Sequence, residues 1–207
     1  MSYPIQPSLG VIILGAGASL RMGRPKLLLP WNRSTVIGHV LSQWRDLGAM
    51  QIAVVLRPDD NPLMSELDRI RLPETNRIQN PQPEAGMFSS ILCAARWAGW
   101  RKEISHWAIV LGDQPHLRAD PLADLLFFSV LHSESICQPM AGGRAAHPVI
   151  LPRPVFAELM TTPAATLKDF LKQSAATNNQ RFFAINDPLF ALDMDTPEDY
   201  ERLTVSH

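Results

Sequence analysis

Residues 14–26 carry the densest chemistry in the chain: Leu14-Gly-Ala-Gly-Ala-Ser-Leu-Arg-Met-Gly-Arg-Pro-Lys26 brings three glycines and three cations into one short stretch. Gly15, Gly17 and Gly23 let the backbone pass close to an anion and turn its amides towards it, while Arg21, Arg24 and Lys26 supply charge. Such a loop can wrap a triphosphate. It is neither of two commoner phosphate loops: the dinucleotide fingerprint needs a glycine where Leu20 stands, and the chain has no Gly-Lys-Ser/Thr. A Gly-rich turn with its cations in solvent fits the same residues.

Carboxylates stand at two further positions of interest. Asp113 follows the apolar run Trp107 to Leu111 and so falls at the C-terminal end of a predicted strand, where open α/β sheets gather ligand-binding groups; before Gln-Pro it also suits a turn. Asp193 and Asp195 are separated by one residue, which in an extended segment points both to one face. Asp195-Thr-Pro-Glu-Asp199 reads as a helix start as well, with Asp195 or Thr196 capping, Pro197 near the first turn, and Glu198 and Asp199 favourable there.

Alternating elements must hold these groups. Leu9 to Leu14 predicts a buried strand leading into the loop, and Ser34 can cap a helix that carries Val36, Ile37, Val40, Leu41, Trp44 and Leu47 on one face. Ile52 to Leu56 predicts a second strand, followed by a helix through Leu63, Leu67 and Ile70. Met87, Phe88, Ile91, Leu92 and Ala95 recur at helical spacing before the strand Trp107 to Leu111. Pro121 suits the first turn of a helix through Leu122, Leu125, Leu126 and Val130; a strand near Ile136 to Pro139, the turn Gly142-Gly-Arg-Ala-Ala and the apolar Val149 to Leu151 come next. Ala175 to Gln180 reads as a polar surface loop. The alternation implies an α/β fold with a mostly parallel sheet covered on both faces, because parallel neighbours require crossovers.

The 207 residues suit one domain spanning 1–207, and a net charge of -1 with interspersed signs gives no electrostatic case for nucleic-acid or acidic-membrane binding. Cys93 and Cys137 lie far apart and lack His or Cys neighbours at metal-ligand spacing, which argues against a disulfide framework or zinc site and fits a reducing cytosol. Met1 to Pro7 lacks the basic start and apolar stretch of a signal peptide, so a cytoplasmic protein is expected.

The loop resembles the signature of the molybdopterin nucleotidyltransferase family, within the larger group of sugar-nucleotide-type transferases. Asn80-Pro, Gly86, Ser89-Ser90-Ile91, Leu111-Gly-Asp-Gln-Pro115, His147-Pro-Val149 and Asp193-Met-Asp-Thr-Pro-Glu-Asp199 follow in the family's order, covering nearly the whole chain. The resemblance implies a single-domain, Rossmann-like three-layer sandwich of the nucleotide-diphospho-sugar transferase type. It implies that Leu14, Gly15, Ala16, Gly17, Lys26, Asn80, Gly86, Ser90 and Asp113 meet the nucleotide, with Arg21, Lys26 and Asp113 in catalysis. Asp113 and Asp195, with Asp193 beside them, would hold Mg²⁺. Gln114 and His147 would lie on the acceptor side. Ser89 and Ser90 are equally suited to the first turn of a helix that Gly86 caps, and His147 to a structural hydrogen bond.

Ala16, Gln114 and His147-Pro-Val are similar to the branch that transfers CMP from CTP to molybdenum cofactor; the GTP-using branch has a further glycine at position 16. The implied reaction is attack of the acceptor phosphate on the α-phosphorus with loss of pyrophosphate. It demands positioning and charge neutralisation more than a base. A molybdoenzyme or its chaperone would receive the product. Two departures from the family pattern, Ala146 in place of glycine and Thr162 to Asp169 in place of Gly-Asp-x-Gly-Ala-Arg, both bear on the acceptor half. They leave open another phosphorylated acceptor. A third reading is a carrier that binds molybdenum cofactor without turnover.

Overall fold

The computed structural model describes residues 8–175 and 179–205; Met1 to Pro7, read above for its lack of a signal sequence, and residues 176–178 of the expected surface loop lie outside them. Strand β1 (Leu9–Leu14) is followed by a short hairpin, β2 (Pro30–Trp31) and β3 (Ser34–Thr35), then α1 (Val36–Asp46), β4 (Gln51–Leu56), α2 (Asn61–Arg69), β5 (Arg77–Gln79) and α3 (Met87–Arg96). The chain continues through β6 (His106–Leu111), α4 (Ala119–Leu131), β7 (Ile136–Ala141), β8 (Arg144–Ala145), β9 (Val149–Pro152), α5 (Arg153–Glu158), α6 (Leu167–Ser174), β10 (Gln180–Ala184) and α7 (Pro197–Val205). The main sheet has the order β10-β7-β9-β6-β1-β4-β5, with β8 paired to β7. β1 runs parallel to both β4 and β6, while β9 enters antiparallel between β6 and β7. The expected mostly parallel α/β sheet is therefore present.

Alternation along β1 builds the three layers. Val11 and Ile13 face one core, where α1, α2 and α4 contribute Ile37, Leu41, Trp44, Leu67 and Leu125; Ile12 faces the other, with Phe88 and Ile91 of α3 and Val155 and Phe170 of α5 and α6. Burial on both faces explains why β1, β4 and β6 read as continuous apolar runs rather than alternating ones. A third cluster, Met22, Leu29, Trp31, Val36, Met194 and Leu203, ties the glycine-rich loop to the C-terminal segment.

Several local expectations change. The cap of α1 is Thr35, the last residue of β3, rather than Ser34: its hydroxyl accepts from the Gly38 amide at 3.1 Å. Gln180, the last residue of the expected loop, begins β10, a strand that the sequence reading did not place; β10 sits at the sheet edge, parallel to β7, and its residues remain at least partly exposed. The strand read as ending at Pro139 extends to Ala141. Ala146, where family glycine is replaced, does not need positive φ: the turn is made by Gly142 and Gly143 at φ 55° and 75°, and the Ala146 amide simply donates to the Pro139 carbonyl at 2.9 Å. In the other departure, Thr166 caps α6 by accepting from the Asp169 amide, so Thr162 to Asp169 includes an ordinary helix start. Among the described residues no helix is long and apolar enough to cross a membrane.

Buried His106 hydrogen-bonds through Nε2 with the Ser133 carbonyl and through Nδ1 with the Ser105 hydroxyl, both at 2.9 Å. Burial holds its pKa below the ordinary value of 6.5, outweighing the pull of the Ser133 carbonyl and Glu134 in the other direction. The unfolded chain therefore takes up this proton first, so the contribution is intact above 6.5 and stability falls as pH drops below it. His106→Gln should flatten the fall in denaturation midpoint between about pH 7 and 5.5, measured by urea titration. An unchanged slope would contradict this assignment.

Candidate active site

The loop after β1 is set by two close approaches. The Gly15 amide donates to the Val55 carbonyl at 2.8 Å, and the Gly112 amide to the Leu14 carbonyl at 3.1 Å; a Cβ on Gly112 would lie 2.8 Å from that carbonyl oxygen, so only glycine permits the contact. The Gly15 amide is thus engaged by the neighbouring strand, while Gly15 itself lines the cleft. Beyond it, the Gly17 and Ala18 amides meet no protein acceptor among the described residues, and both residues line the cleft. The loop closes where Ser19, at φ 51°, accepts from the Lys26 amide with its hydroxyl at 3.2 Å. Ser19 was not anticipated: nothing in its local sequence marks a hydroxyl that ties the loop's two ends.

Residues far apart in the chain converge at the loop's end. Lys26 Nζ donates to Asp113 Oδ2 at 2.6 Å and to Asp195 Oδ1 at 2.8 Å, while Arg21 meets Asp195 Oδ2 at 2.5 Å. The Lys26 side chain is only 12% exposed and that of Arg21 73%, so the first is held in the wall and the second reaches Asp195 from the solvent side. Burial alone would lower the Lys26 pKa; the charges and hydrogen bonds of Asp113 and Asp195 outweigh it and hold the ammonium above the ordinary lysine value. Arg24, the third loop cation, lies over the Tyr200 ring at 5.7 Å from its centroid.

The competing roles of the C-terminal acidic segment separate cleanly. Thr196 is the helix cap: its hydroxyl accepts from the Asp199 amide, and the Asp199 carboxylate accepts from the Asp195 and Thr196 amides and the Thr196 hydroxyl. Asp195 is thereby released to face Lys26. Met194, 1% exposed, packs with Met22 of the loop, which draws Asp195 to the loop cations while Asp193 and Asp195 both face the cleft.

A cavity of about 640 Å³ joins these groups to the far wall. Leu14, Ala16, Gly17, Gly86, Ser90, Asp113, Asp193 and Asp195 all line it, which unites most of the residues named from sequence. Asn80 does not line it. It is 1% exposed, its amide nitrogen donates to the Ser89 and Ser90 hydroxyls at 2.8 and 2.9 Å, and its oxygen accepts from the Gln82 amide; it holds the turn before α3 from behind. Gly86, at φ 88°, occupies the N-cap of α3, so the helix-start reading of Ser89 and Ser90 holds alongside the cleft position of Ser90.

The two acceptor-side residues sit deeper. Gln114 is buried, and its Oε1 meets no donor among the described residues. His147 Nδ1 is 3.2 Å from the Ile109 carbonyl; burial lowers its pKa, against the opposing pull of that carbonyl, Asp113 and Asp193. It is thus held neutral near Asp113 rather than poised as a charged group. Burial raises the pKa of both thiols, Cys137 to about 12, which disfavours the nucleophilic thiolate. Arg57, absent from the sequence expectations, lines the same cavity opposite the acidic end.

A glycine-rich loop with open amides, two cations and two converging carboxylates at the C-terminal edge of a parallel sheet can hold a triphosphate and neutralise its charge. The family model for the MobA-like NTP transferase domain matches residues 11–178. The chain is 24% identical to molybdenum cofactor cytidylyltransferase of Escherichia coli (strain K12) over 91% of its length and 92% of the relative's. Its fold is that of a nucleotidyl transferase from Methanothermobacter thermautotroptrophicus (17% identical, 96% and 97% of the two chains covered, TM-score 0.76). It is also that of Rv0371c from Mycobacterium tuberculosis H37Rv in complex with manganese (24% identical, 97% and 100% covered, TM-score 0.69).

Proposed function

The chain belongs to the MobA-like NTP transferase domain family and is a nucleotidyltransferase, and from that premise we propose that it transfers CMP from CTP to molybdenum cofactor, releasing pyrophosphate. The observation that carries this reading is the meeting of Lys26, Asp113 and Asp195 beside the open amides of the loop. Likeness to the Escherichia coli cytidylyltransferase along nearly the full chain supports the choice of nucleotide and acceptor, as does Ala16 where the GTP-using branch carries glycine.

Lys26 and Arg21 bind the triphosphate oxygens, and the Gly17 and Ala18 amides add uncharged donors that need no reorganisation. The α-phosphorus then lies towards Asp113 at the β6 end. The acceptor's terminal phosphate is already anionic near neutral pH, so no residue need remove a proton. For Mg²⁺, the donor chemistry fits: Asp113 and Asp195 offer hard oxygens to a single cation, here the Lys26 ammonium at 2.6 and 2.8 Å. Among the described residues no cluster of three or more metal-ligating side chains forms, which suits an ion that binds through one or two carboxylates plus substrate phosphates. When bound, the ion offsets charge on the triphosphate and steadies the leaving pyrophosphate. The manganese complex of the mycobacterial relative supports a divalent ion in this fold.

A second reading keeps the transfer and changes the acceptor, favoured by the altered Thr162 to Asp169 region. The non-catalytic carrier is not retained, since the family is one of transferases. The product decides between the first two: incubation with CTP, Mg²⁺ and molybdenum cofactor should give a cytidine dinucleotide form detectable by mass. Its absence, with pyrophosphate released on another phosphorylated compound, would favour the second. Placement in the cytoplasm belongs to the same proposal, because that chemistry uses cytosolic CTP.

A further inference from the structure

We propose that Arg57 is a specificity-determining residue that donates through its guanidinium fork to the acceptor edge of the cytosine base. The inference rests on the cytidylyl reading and extends it to the end of the cleft remote from the reacting phosphorus.

Arg57 directly follows β4. The Gly15 amide bonds to Val55, and the Asn80 amide bonds to the Leu56 carbonyl at 2.9 Å, so the β4 end lies between the glycine-rich loop and the turn before α3. The half-buried Arg57 lines the cavity with Ala16, Gly17, Pro83, Glu84 and Met87. Among the described residues its guanidinium has neither a hydrogen-bond acceptor nor an ion-pair partner, in contrast to Arg21, Arg77 and Arg118, which are each paired with an aspartate. A half-buried cation that stands in the cleft wall without a protein partner among the described residues is free to take a ligand acceptor.

The surroundings select the kind of acceptor. Phosphate charge is already met beside Asp113 and Asp195 by Lys26 and Arg21. The Arg57 wall instead presents the carboxylate of Glu84, which repels phosphate, and the apolar surfaces of Pro83 and of Met87, a large hydrophobe left 44% exposed. Apolar walls flanking one fork of donors suit a flat, uncharged ring with adjacent acceptors. Cytosine offers O2 and N3 side by side, whereas uracil replaces the N3 acceptor with a donor. A planar fork therefore favours cytosine over uracil, and lysine cannot reproduce it.

Calorimetric titration of Mg²⁺-loaded CTP, UTP and GTP into the wild type, Arg57→Met and Arg57→Lys tests this, with thermal midpoints as the control for folding. Expected is a wild-type preference for CTP, and in both variants a CTP-over-UTP ratio that falls by about 10–100-fold, with midpoints unchanged. Equal losses for all three nucleotides would assign Arg57 to phosphate and overturn the proposal; so would an unchanged ratio or a wild type indifferent to the base. A wild type that binds CTP preferentially yet forms no cytidine dinucleotide cofactor would defeat the acceptor reading, while the Arg57 ratio still decides this one.

Discussion

Lys26→Met should cut nucleotidyl transfer by about 10²–10³-fold and, in the absence of nucleotide, tighten divalent-ion binding. The two effects have one origin. In the nucleotide-free protein the Lys26 ammonium occupies the position between Asp113 and Asp195, 2.6 and 2.8 Å from their oxygens, so a metal ion must displace it. Methionine fills similar volume with no charge and leaves both carboxylates to the ion. Displacing such an ion pair costs up to about 1 kcal/mol, so Mn²⁺ affinity, read by electron paramagnetic resonance, should rise by up to about fivefold. With triphosphate present the lysine has its own anions to bind, and its loss then removes transition-state charge stabilisation. Folding should change far less, since Arg21 still pairs with Asp195. Weaker metal binding in Lys26→Met would show that the ammonium supports the ion site rather than competing for it.

Asp113→Asn should be more damaging still, lowering kcat/KM by about 10³-fold or more with little change in the denaturation midpoint. The Asp113 side chain is 28% exposed, and its one charged partner, Lys26, retains Asp195 in the variant. The amide preserves shape and loses the charge that a hard cation requires. Stopped-flow pyrophosphate detection and urea titration on the same preparation measure both quantities. Parallel losses in activity and stability would make Asp113 a structural strut for Lys26 instead.

The parts of this site that were legible in sequence are those encoded locally. Leu9 to Leu14, buried on both sides, and the glycines that follow announce a strand and an anion loop within one short segment, and strand β6 places Asp113 by the same logic. Contacts between distant residues were not legible. Lys26 meets Asp195 because Met22 and Met194 share a hydrophobic cluster, a pairing that no spacing rule contains. The sequence left either Asp195 or Thr196 as the helix cap, and the structure gives the cap to Thr196. β10 escaped because Gln180 to Ala184 lies at the sheet edge with much of its surface exposed, so it lacks the fully apolar run of the central strands. Arg57 carried no signal, since one arginine after a strand is ordinary until the two neighbouring turns enclose it.

The central claim is tested most directly by pyrophosphate release from CTP and, separately, from GTP, with Mg²⁺ and molybdenum cofactor, in the wild type and in Asp113→Asn. The account predicts release from CTP well above that from GTP, dependent on the cofactor and lost in the variant. Release from neither nucleotide by a folded wild type that binds the cofactor would contradict it.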